Sequence, residues 1–577
     1  MTLNTKARRL GRTALVAMLL CGAAGVAMAA PAASPDPRDV KMQQMEEQLQ
    51  LMNQELRELR AGGGASGEKL DHLQAQMDAF AAQLTEIKQA TDTASADILT
   101  LKLPPAPNAV TPSLPNGKLA FATADGRFTG NIRSVMMFDT THYFQRSAGC
   151  LTFDAVACPV PDERRGAGAN DTAHARDLNN GTNFRRARLG LDGKVFGFID
   201  YGVVYEFGGS GAEDAGHIHE MWLQYNPPQL ADVHGKIKIG AFEPIIGSEA
   251  SVSTGSMAFM ERPAPAEVAR NLAAGDSRSA IQLYGFGEFG GDQGTSAFWS
   301  ASTAITGNTV GTVNTAGSLG TQPFDEQKAW IGRLAIAPHS GSDWLVHLGV
   351  NFQYVFRPAD ATGPDAGGTR YPVQFRDRIE SRTDGTRFVD SGGVSAKDAY
   401  VLGLEGGFQV HNFYVEGEWF KYAIDRYNSP LAGPRFNGWY VEGSWVLTGE
   451  SRVYDRGNAV FNGPAVANVF NPNAGTWGAW EVAARYSDLD LNYNPLTPAA
   501  TAAQLTAASS IRGGEQKIIT LGVNWYWNPT VRFMLNYQHV NISRLAPSVN
   551  FGGGTVALGD QIGQTINTIS VRSQLAF

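Results

Sequence analysis

The charged residues best placed to do chemistry recur at alternate positions, in short stretches where charged and apolar side chains take turns. The basic set is Arg133, Arg186, Arg188, Lys236, Lys238, Arg333, Arg532 and Arg572. The acidic set is Glu405, Glu416, Glu418, Glu442 and Glu481, the last with Arg485 at i+4. Nothing here has the spacing of a catalytic centre. His539, Asn541 and Ser543 share one parity near the end of a run, and spacing along one strand cannot bring them together as a triad. There is no metal-spaced His/Cys cluster, and no cofactor is implied. The chemistry expected of these residues is therefore non-covalent and the chain is read as no enzyme. A basic row facing an acidic row makes a transverse field that orients hydrated solutes and repels apolar ones. The alternative is that the charges pair with one another and only solvate a wall.

Positioning such rows requires strands. From residue 118 onward the hydrophobic period is two, and strands are expected to begin near Thr129, Phe184, Phe198, His217, Val233, Ser279, Thr295, Lys328, Leu345, Lys397, Asn412, Gly438, Trp477, Lys517, Val531 and Gln564. Sixteen is an even number, as a single-chain bacterial membrane barrel requires. Loop lengths give an independent check. Connections after strands 2, 4, 6, 8, 10 and 14 are short (KVFG, PPQLAD, FGEFGGDQ, PHSGSD, VH, NP), while those after odd strands include the long segments 141–182, 243–278, 306–326, 356–396, 489–514 and 541–563. Short periplasmic turns and long outer loops have this pattern. Residues 448–475 break it, so either a strand is misplaced or a periplasmic segment folds into the lumen. Phe533, Leu535 and Tyr537 oppose Arg532, Met534, Asn536 and Gln538, which gives an apolar outer and a polar inner face. Paired aromatics such as Trp525/Trp527 and Trp439/Trp445 fit girdles at the two lipid interfaces.

Composition narrows the class further. The chain has 577 residues, 65 of them glycine, with 18% charged and 10% aromatic. That aromatic content argues against low-complexity disorder, and no run of 18 apolar residues follows residue 30, which excludes a polytopic helical membrane protein. Residues 1–29 read as a signal peptide: Lys6, Arg8, Arg9 and Arg12, an apolar stretch, then Ala27-Met28-Ala29 before the cut. Its removal leaves 43 Lys+Arg against 55 Asp+Glu, a net charge of −12, which argues against a nucleic-acid partner. Residues 30–103 are expected to form a periplasmic α-helical coiled coil. Met42, Met45, Leu49, Met52, Leu56 and Leu59 continue in phase through the AGGGASG break to Leu70, Leu73, Met77, Phe80, Leu84 and Ile87. A Pro-rich linker, 104–117, leads to the barrel, 118–577. Cys150 and Cys158 are candidates for a small loop disulfide. The terminal TINTISVRSQLAF ends an alternating strand in Phe577, similar to the signal by which outer-membrane barrels are recognised for assembly.

Six segments then carry a family resemblance: FRRARLGLDG (184–193), KIGAFEP (238–244), AFMERP (258–263), GSWVLTGESRVYD (443–455), GAWEVAARYSDL (478–489) and LGVNWYWNP (521–529). In order and across most of 118–577, they resemble the phosphate-selective porins O and P. The resemblance implies a trimeric sixteen-stranded outer-membrane channel, in contact with outer-membrane lipids, in which an arginine ladder and a lysine cluster guide small anionic or polar solutes through a pore narrowed by infolded loops. Arg185 and Arg186 match the family's tandem arginine. The constriction loop would be 243–278, with Glu243, Glu249, Gly255, Glu261 and Arg262, and the fifth loop would supply Arg370, Arg376, Arg378, Arg382 and Arg387. Two departures stand out. Residues 243–260 carry no Lys or Arg, with Gly255 near the position of the family's critical lysine, and the first-strand arginine is Asn131. Passive diffusion of small hydrophilic solutes, favouring anions such as phosphate, is the expected function. The other readings are a general-diffusion pore and a tether to peptidoglycan through the coil.

Overall fold

The computed structural model describes residues 37–61, 67–100, 109–115, 118–145, 178–208, 216–229, 233–290, 296–310, 325–341, 343–360, 370–548 and 558–577. The signal segment, Cys150 and Cys158 lie outside them. The chain divides into two units, 1–105 and 106–577.

The first unit holds two helices, α1 (Pro37–Ala61) and α2 (Gly67–Thr100). Met45, Leu49, Met52, Met77 and Leu84, all on the apolar stripe, are among the side chains withdrawn from solvent, whereas Leu51, off the stripe, is exposed.

The second unit is a closed antiparallel barrel. Its sixteen strands among the described residues are β1 (Thr129–Gln145), β2 (Gly181–Val195), β3 (Ile199–Glu206), β4 (His217–Tyr225), β5 (Val233–Phe242), β6 (Arg278–Glu288), β7 (Ser296–Thr309), β8 (Lys328–Ser340), β9 (Trp344–Arg357), β10 (Val394–Val410), β11 (Phe413–Arg426), β12 (Arg435–Val446), β13 (Ala479–Tyr493), β14 (Ile511–Tyr526), β15 (Val531–Ser543) and β16 (Thr565–Ala576). β16 pairs with β1 from Ile566↔Gln145 to Ala576↔Val135, and Ser134 and Phe577 exchange two backbone hydrogen bonds at 3.0 Å, so no sheet edge is left open there. The terminal Phe577 thus closes the seam. Most strands begin within three residues of the expected positions. β14 begins six residues early, because Ile511–Gln516 already pairs with β13 and β15. Residues 110–113 of the expected linker pair with 120–123, which in turn pair with β1.

The faces are inverted relative to a water-soluble protein. Leu521, Leu535, Ile569 and Val571 are exposed, while Asn524, Asn536, Gln538 and Thr568 are buried in the interior. Apolar residues outside and polar residues inside is the arrangement a lipid-embedded barrel needs. Trp525 stacks on Trp480 at 5.1 Å and Trp527 on Phe470 at 4.9 Å, which places four aromatics together at the turn-bearing end.

Three segments fold into the lumen. Residues 243–277 contain a short helix α3 (Ser248–Ser251) and helix α4 (Ala264–Ala273). Alanines make α4 both helix-prone and flat enough to lie on the wall. There the Gln353 side chain of β9 donates to the Ala269 carbonyl and accepts from the Ala273 amide. The fifth loop enters through Glu380, which accepts from Arg485 and Ser487 of β13 at 2.6 Å each and from the Ala264 amide at 2.8 Å. The anomalous segment 448–475 is the third. It forms a hairpin (452–455 with 460–464) that buries Val460 and Phe461, so the strand assignment around it stands and the infolded alternative is the correct one. Arg452 of this hairpin is held by Glu481 at 2.5 Å and by the Ser256 carbonyl at 2.7 Å.

Candidate functional site

Two cavities remain between the infolded segments and the basic side of the barrel. The outer one, of about 400 Å³, lies among the fifth loop, α4 and the outer half of β2. The inner one, of about 350 Å³, reaches Arg133 on β1 and residues 455–462 of the periplasmic hairpin. Both are lined by Arg188, Glu243 and Arg262, which therefore mark the passage between them.

The outer cavity is lined by nine arginines (Arg185, Arg186, Arg188, Arg262, Arg270, Arg376, Arg378, Arg382 and Arg387) and five carboxylates (Glu243, Glu261, Glu267, Asp276 and Asp377). Several arginines are committed. Arg185 holds Glu261 at 2.7 Å, Arg188 holds Glu206 at 2.6 Å, Arg270 pairs with Glu267 at 3.1 Å and Arg382 with Glu267 at 2.8 Å. Arg262 donates to the carbonyls of Glu249, Ala250 and Val252, curling the constriction loop on itself. Among the described residues, no carboxylate lies within ion-pairing distance of Arg186, Arg376, Arg378 or Arg387. The Nε atoms of Arg186 and Arg378 are buried without an acceptor. Burial together with the neighbouring Arg382 and Arg387 pushes the Arg378 guanidinium down to about 10, the response of crowded positive charge.

Adjacent residues on a strand normally face opposite ways, so Arg185 and Arg186 should not share a cavity. A bulge resolves this. Met137 pairs with Arg186 and Phe138 with Phe184, leaving Arg185 as the extra residue and turning both guanidiniums inward.

At the passage, burial pushes the Glu243 carboxyl up, but Arg270 and Arg262 outweigh it and hold the group below the usual carboxylate range, hence ionised. Asp377 behaves differently. Burial dominates, Arg382 opposes it and Glu267 reinforces it, and the pKa rises to about 7. Raising the pH through 7 should therefore add a negative charge to the outer cavity and lower anion conductance, with most of the change between pH 6 and 8. Asp377→Asn should flatten that profile in planar-bilayer recordings; an unaltered profile would show that Asp377 is not the titrating group.

The inner cavity is close to charge-balanced. Arg133 pairs with Glu220 at 3.1 Å, and Lys238 lies over the Trp222 ring at 4.0 Å, with Glu243 and Asp455 also in the lining. Lys236 lies instead over Tyr284 and Phe286, outside both cavities.

The expected acidic wall does not face open lumen. Glu405, Glu416, Glu418, Glu442 and Glu481 are each at most 5% exposed and line neither cavity. Their inward parity is as expected, but the infolded segments cover them. Glu405 binds Arg333 at 2.7 Å, Glu416 and Glu418 accept from Ser248, Glu442 accepts from Tyr414, and Glu481 binds Arg452. Three expected pore arginines are likewise consumed. Arg333 also donates to the Asn458 and Ala459 carbonyls; Arg532 donates to Met257; Arg572 holds Asp139 and Glu261. These residues anchor loops, which is the pairing alternative raised by the sequence.

Of the loop residues, Glu249 is buried against the acidic wall and Glu261 faces the outer cavity. Gly255 packs on the last strand. A Cβ there would meet the Ala576 Cβ at 3.1 Å, and its carbonyl accepts from Gln574. Arg370 pairs with Asp360 and lines neither cavity. The sequence reading did not single out Arg270, Asp455 or Asn458. The usable signals were the Pro-started, alanine-rich run at 263–273 and the anomalous length of 448–475.

A closed barrel with an apolar exterior and a charged, loop-narrowed interior defines an outer-membrane channel protein. A profile of the family described as "Phosphate-selective porin O and P" matches residues 167–550. The chain belongs to that family. Porin O of Pseudomonas aeruginosa is 25% identical over 382 residues, covering 63% of this chain and 77% of that protein. Among solved structures, an anion-selective porin from Comamonas acidovorans aligns with a TM-score of 0.42 at 12% identity, over 78% of this chain and 100% of its own. A trimer form of OmpT from Vibrio cholerae aligns at 0.38 and 11% identity, over 78% and 99%.

Proposed function

We propose that this porin passes small anions in preference to cations, phosphate-class oxyanions among them, by diffusion and without covalent chemistry. The observation that carries the reading is the group of arginines in the outer cavity, Arg186, Arg376, Arg378 and Arg387, with no carboxylate partner among the described residues. An oxyanion entering there gains charge-assisted hydrogen bonds from guanidiniums that no carboxylate among the described residues engages. Because none of these arginines is tied to a carboxylate among the described residues, no internal ion pair has to break first.

Selectivity among anions is a separate matter. The constriction carries Glu243 and no added lysine, and Gly255 faces the wall, so the passage itself gives little reason to prefer phosphate over chloride. We therefore expect single channels in planar bilayers to favour chloride and phosphate over potassium by roughly an order of magnitude at low salt. Preference for potassium would sink the anion reading. Block of chloride current by micromolar phosphate would sink the weak-discrimination reading.

The proposal extends to assembly. A homotrimer in the outer membrane, with the α1–α2 region on the periplasmic side, is the arrangement the apolar stripe favours, since a two-in-seven seam needs partner helices. Peptidoglycan is the candidate partner of that region. Deleting residues 40–100 should leave barrel conductance intact while lowering trimer stability and the fraction co-sedimenting with cell wall. If neither changes, the coil has some other role.

A further inference from the structure

Behind the constriction loop lies a group of carboxylates that the ion path does not use. Glu249 on α3, Glu416 on β11 and Glu442 on β12 each bring an oxygen to within 4.8 Å of the other two, and each residue is at most 2% exposed. Oxygens of that spread fit around one ion with metal–oxygen distances of about 2.3–2.6 Å.

A second observation points to a ligand. Glu416 accepts from the Ser248 hydroxyl at 2.6 Å through Oε2, but its Oε1 is buried with no hydrogen-bond partner. Leaving a buried carboxylate oxygen unmatched is costly, so native interiors rarely do it. The nearby cations are engaged elsewhere. Arg333 is on Glu405, Arg452 on Glu481, and Arg485 is on Glu380 at 2.6 Å, reaching Glu442 only at 3.4 Å. Arg262 spends its donors on carbonyls. The fourth acid here, Glu418, is satisfied by the Ser248 amide at 2.9 Å and the Tyr440 hydroxyl at 2.8 Å.

We propose that Glu249, Glu416 and Glu442 bind a hard divalent cation of calcium size, which clamps the constriction loop to the barrel wall. Burial and the facing carboxylates of Glu442 and Glu416 push the Glu249 carboxyl well above its ordinary range, and the opposing pull of Arg262 and Arg485 does not offset them. Protons could relieve the repulsion, but a proton bridges one pair of oxygens at a separation of about 2.5–2.7 Å. A cation serves all three oxygens and takes up the orphaned Oε1. It would also join the cross-strand pair Glu416 and Glu442 to Glu249 on α3 of the constriction loop.

The test uses the full-length protein in detergent, stripped with EDTA and returned to EDTA-free buffer at pH 7.5. Calcium at 1 mM should raise the unfolding temperature by about 3 °C or more, and metal analysis after dialysis against calcium should find one tightly held ion per chain. Glu249→Gln, which keeps the shape of the side chain, should lose both responses. A wild-type protein that retains no calcium overturns the proposal even if the variant fails to fold. So does a variant whose calcium response matches the wild type. Stabilisation by acid with no response to calcium overturns it too, and assigns the group to shared protons.

Discussion

A channel carrying Arg376→Gln, Arg378→Gln and Arg387→Gln is expected to lose most of its preference for anions. None of the three has a carboxylate partner among the described residues, so their removal leaves no acid exposed in exchange. The outer cavity would fall from nine arginines to six against the same five carboxylates. Charge of one sign in a cleft with low-dielectric walls raises local counter-ion concentration by roughly 10- to 1,000-fold, so removing three unneutralised charges should lower the anion-to-cation permeability ratio about tenfold at low ionic strength. The effect should shrink in 1 M salt, where the screening length is about 3 Å. Reversal potentials under a potassium chloride gradient read this directly. An unchanged reversal potential with normal conductance would mean that these arginines lie off the ion path.

The largest effect on stability is expected from Arg572→Met. Arg572 is fully buried on β16, holds both oxygens of Asp139 on β1 at 2.7 Å, and reaches Glu261 of the constriction loop at 2.9 Å and the Met260 carbonyl. It therefore joins the barrel seam to the constriction loop. Methionine fills part of the volume but leaves Asp139 buried without its partner and Glu261 dependent on Arg185 at 2.7 Å and Arg382 at 3.6 Å. Breaking a buried pair in this way costs about 3–5 kcal/mol. The expected result is a barrel that assembles but unfolds at a clearly lower temperature in detergent, with noisier single-channel currents as the loop loosens. Adding Asp139→Asn should recover part of the loss, because it removes the stranded charge. Failure of the double variant to improve on the single one would assign the cost to packing.

Parity served the wall well and the pore poorly. Arg532, Arg572 and Glu481 are on the inner side as alternation requires, yet Arg532 and Arg572 are closed over by constriction-loop residues 275 and 312 positions away, and Glu481 by the hairpin 29 residues before it. Alternation decides which side of a sheet a residue faces. It says nothing about what comes to lie on top of that residue, since the loop partners are set by long-range packing and ion pairing. The tandem arginines show the opposite failure: strict alternation would send Arg185 outward, and a single bulge brings it in.

The sequence by itself determined the barrel. Period-two hydrophobicity and short and long connections in turn are local properties that follow from lipid outside and water inside. They sufficed for sixteen strands and their faces, and even for the infolded segment 448–475 as one of two readings of its length. Only the tertiary structure decided which charges remain free. Charges buried beneath the loops must find partners, and Arg333–Glu405, Arg452–Glu481 and Arg485–Glu380 do so across 72, 29 and 105 residues. What is left over, an arginine group on one side of the lumen and a trio of carboxylates behind the loop on the other, is a remainder of that global pairing and cannot be read from any one stretch of chain.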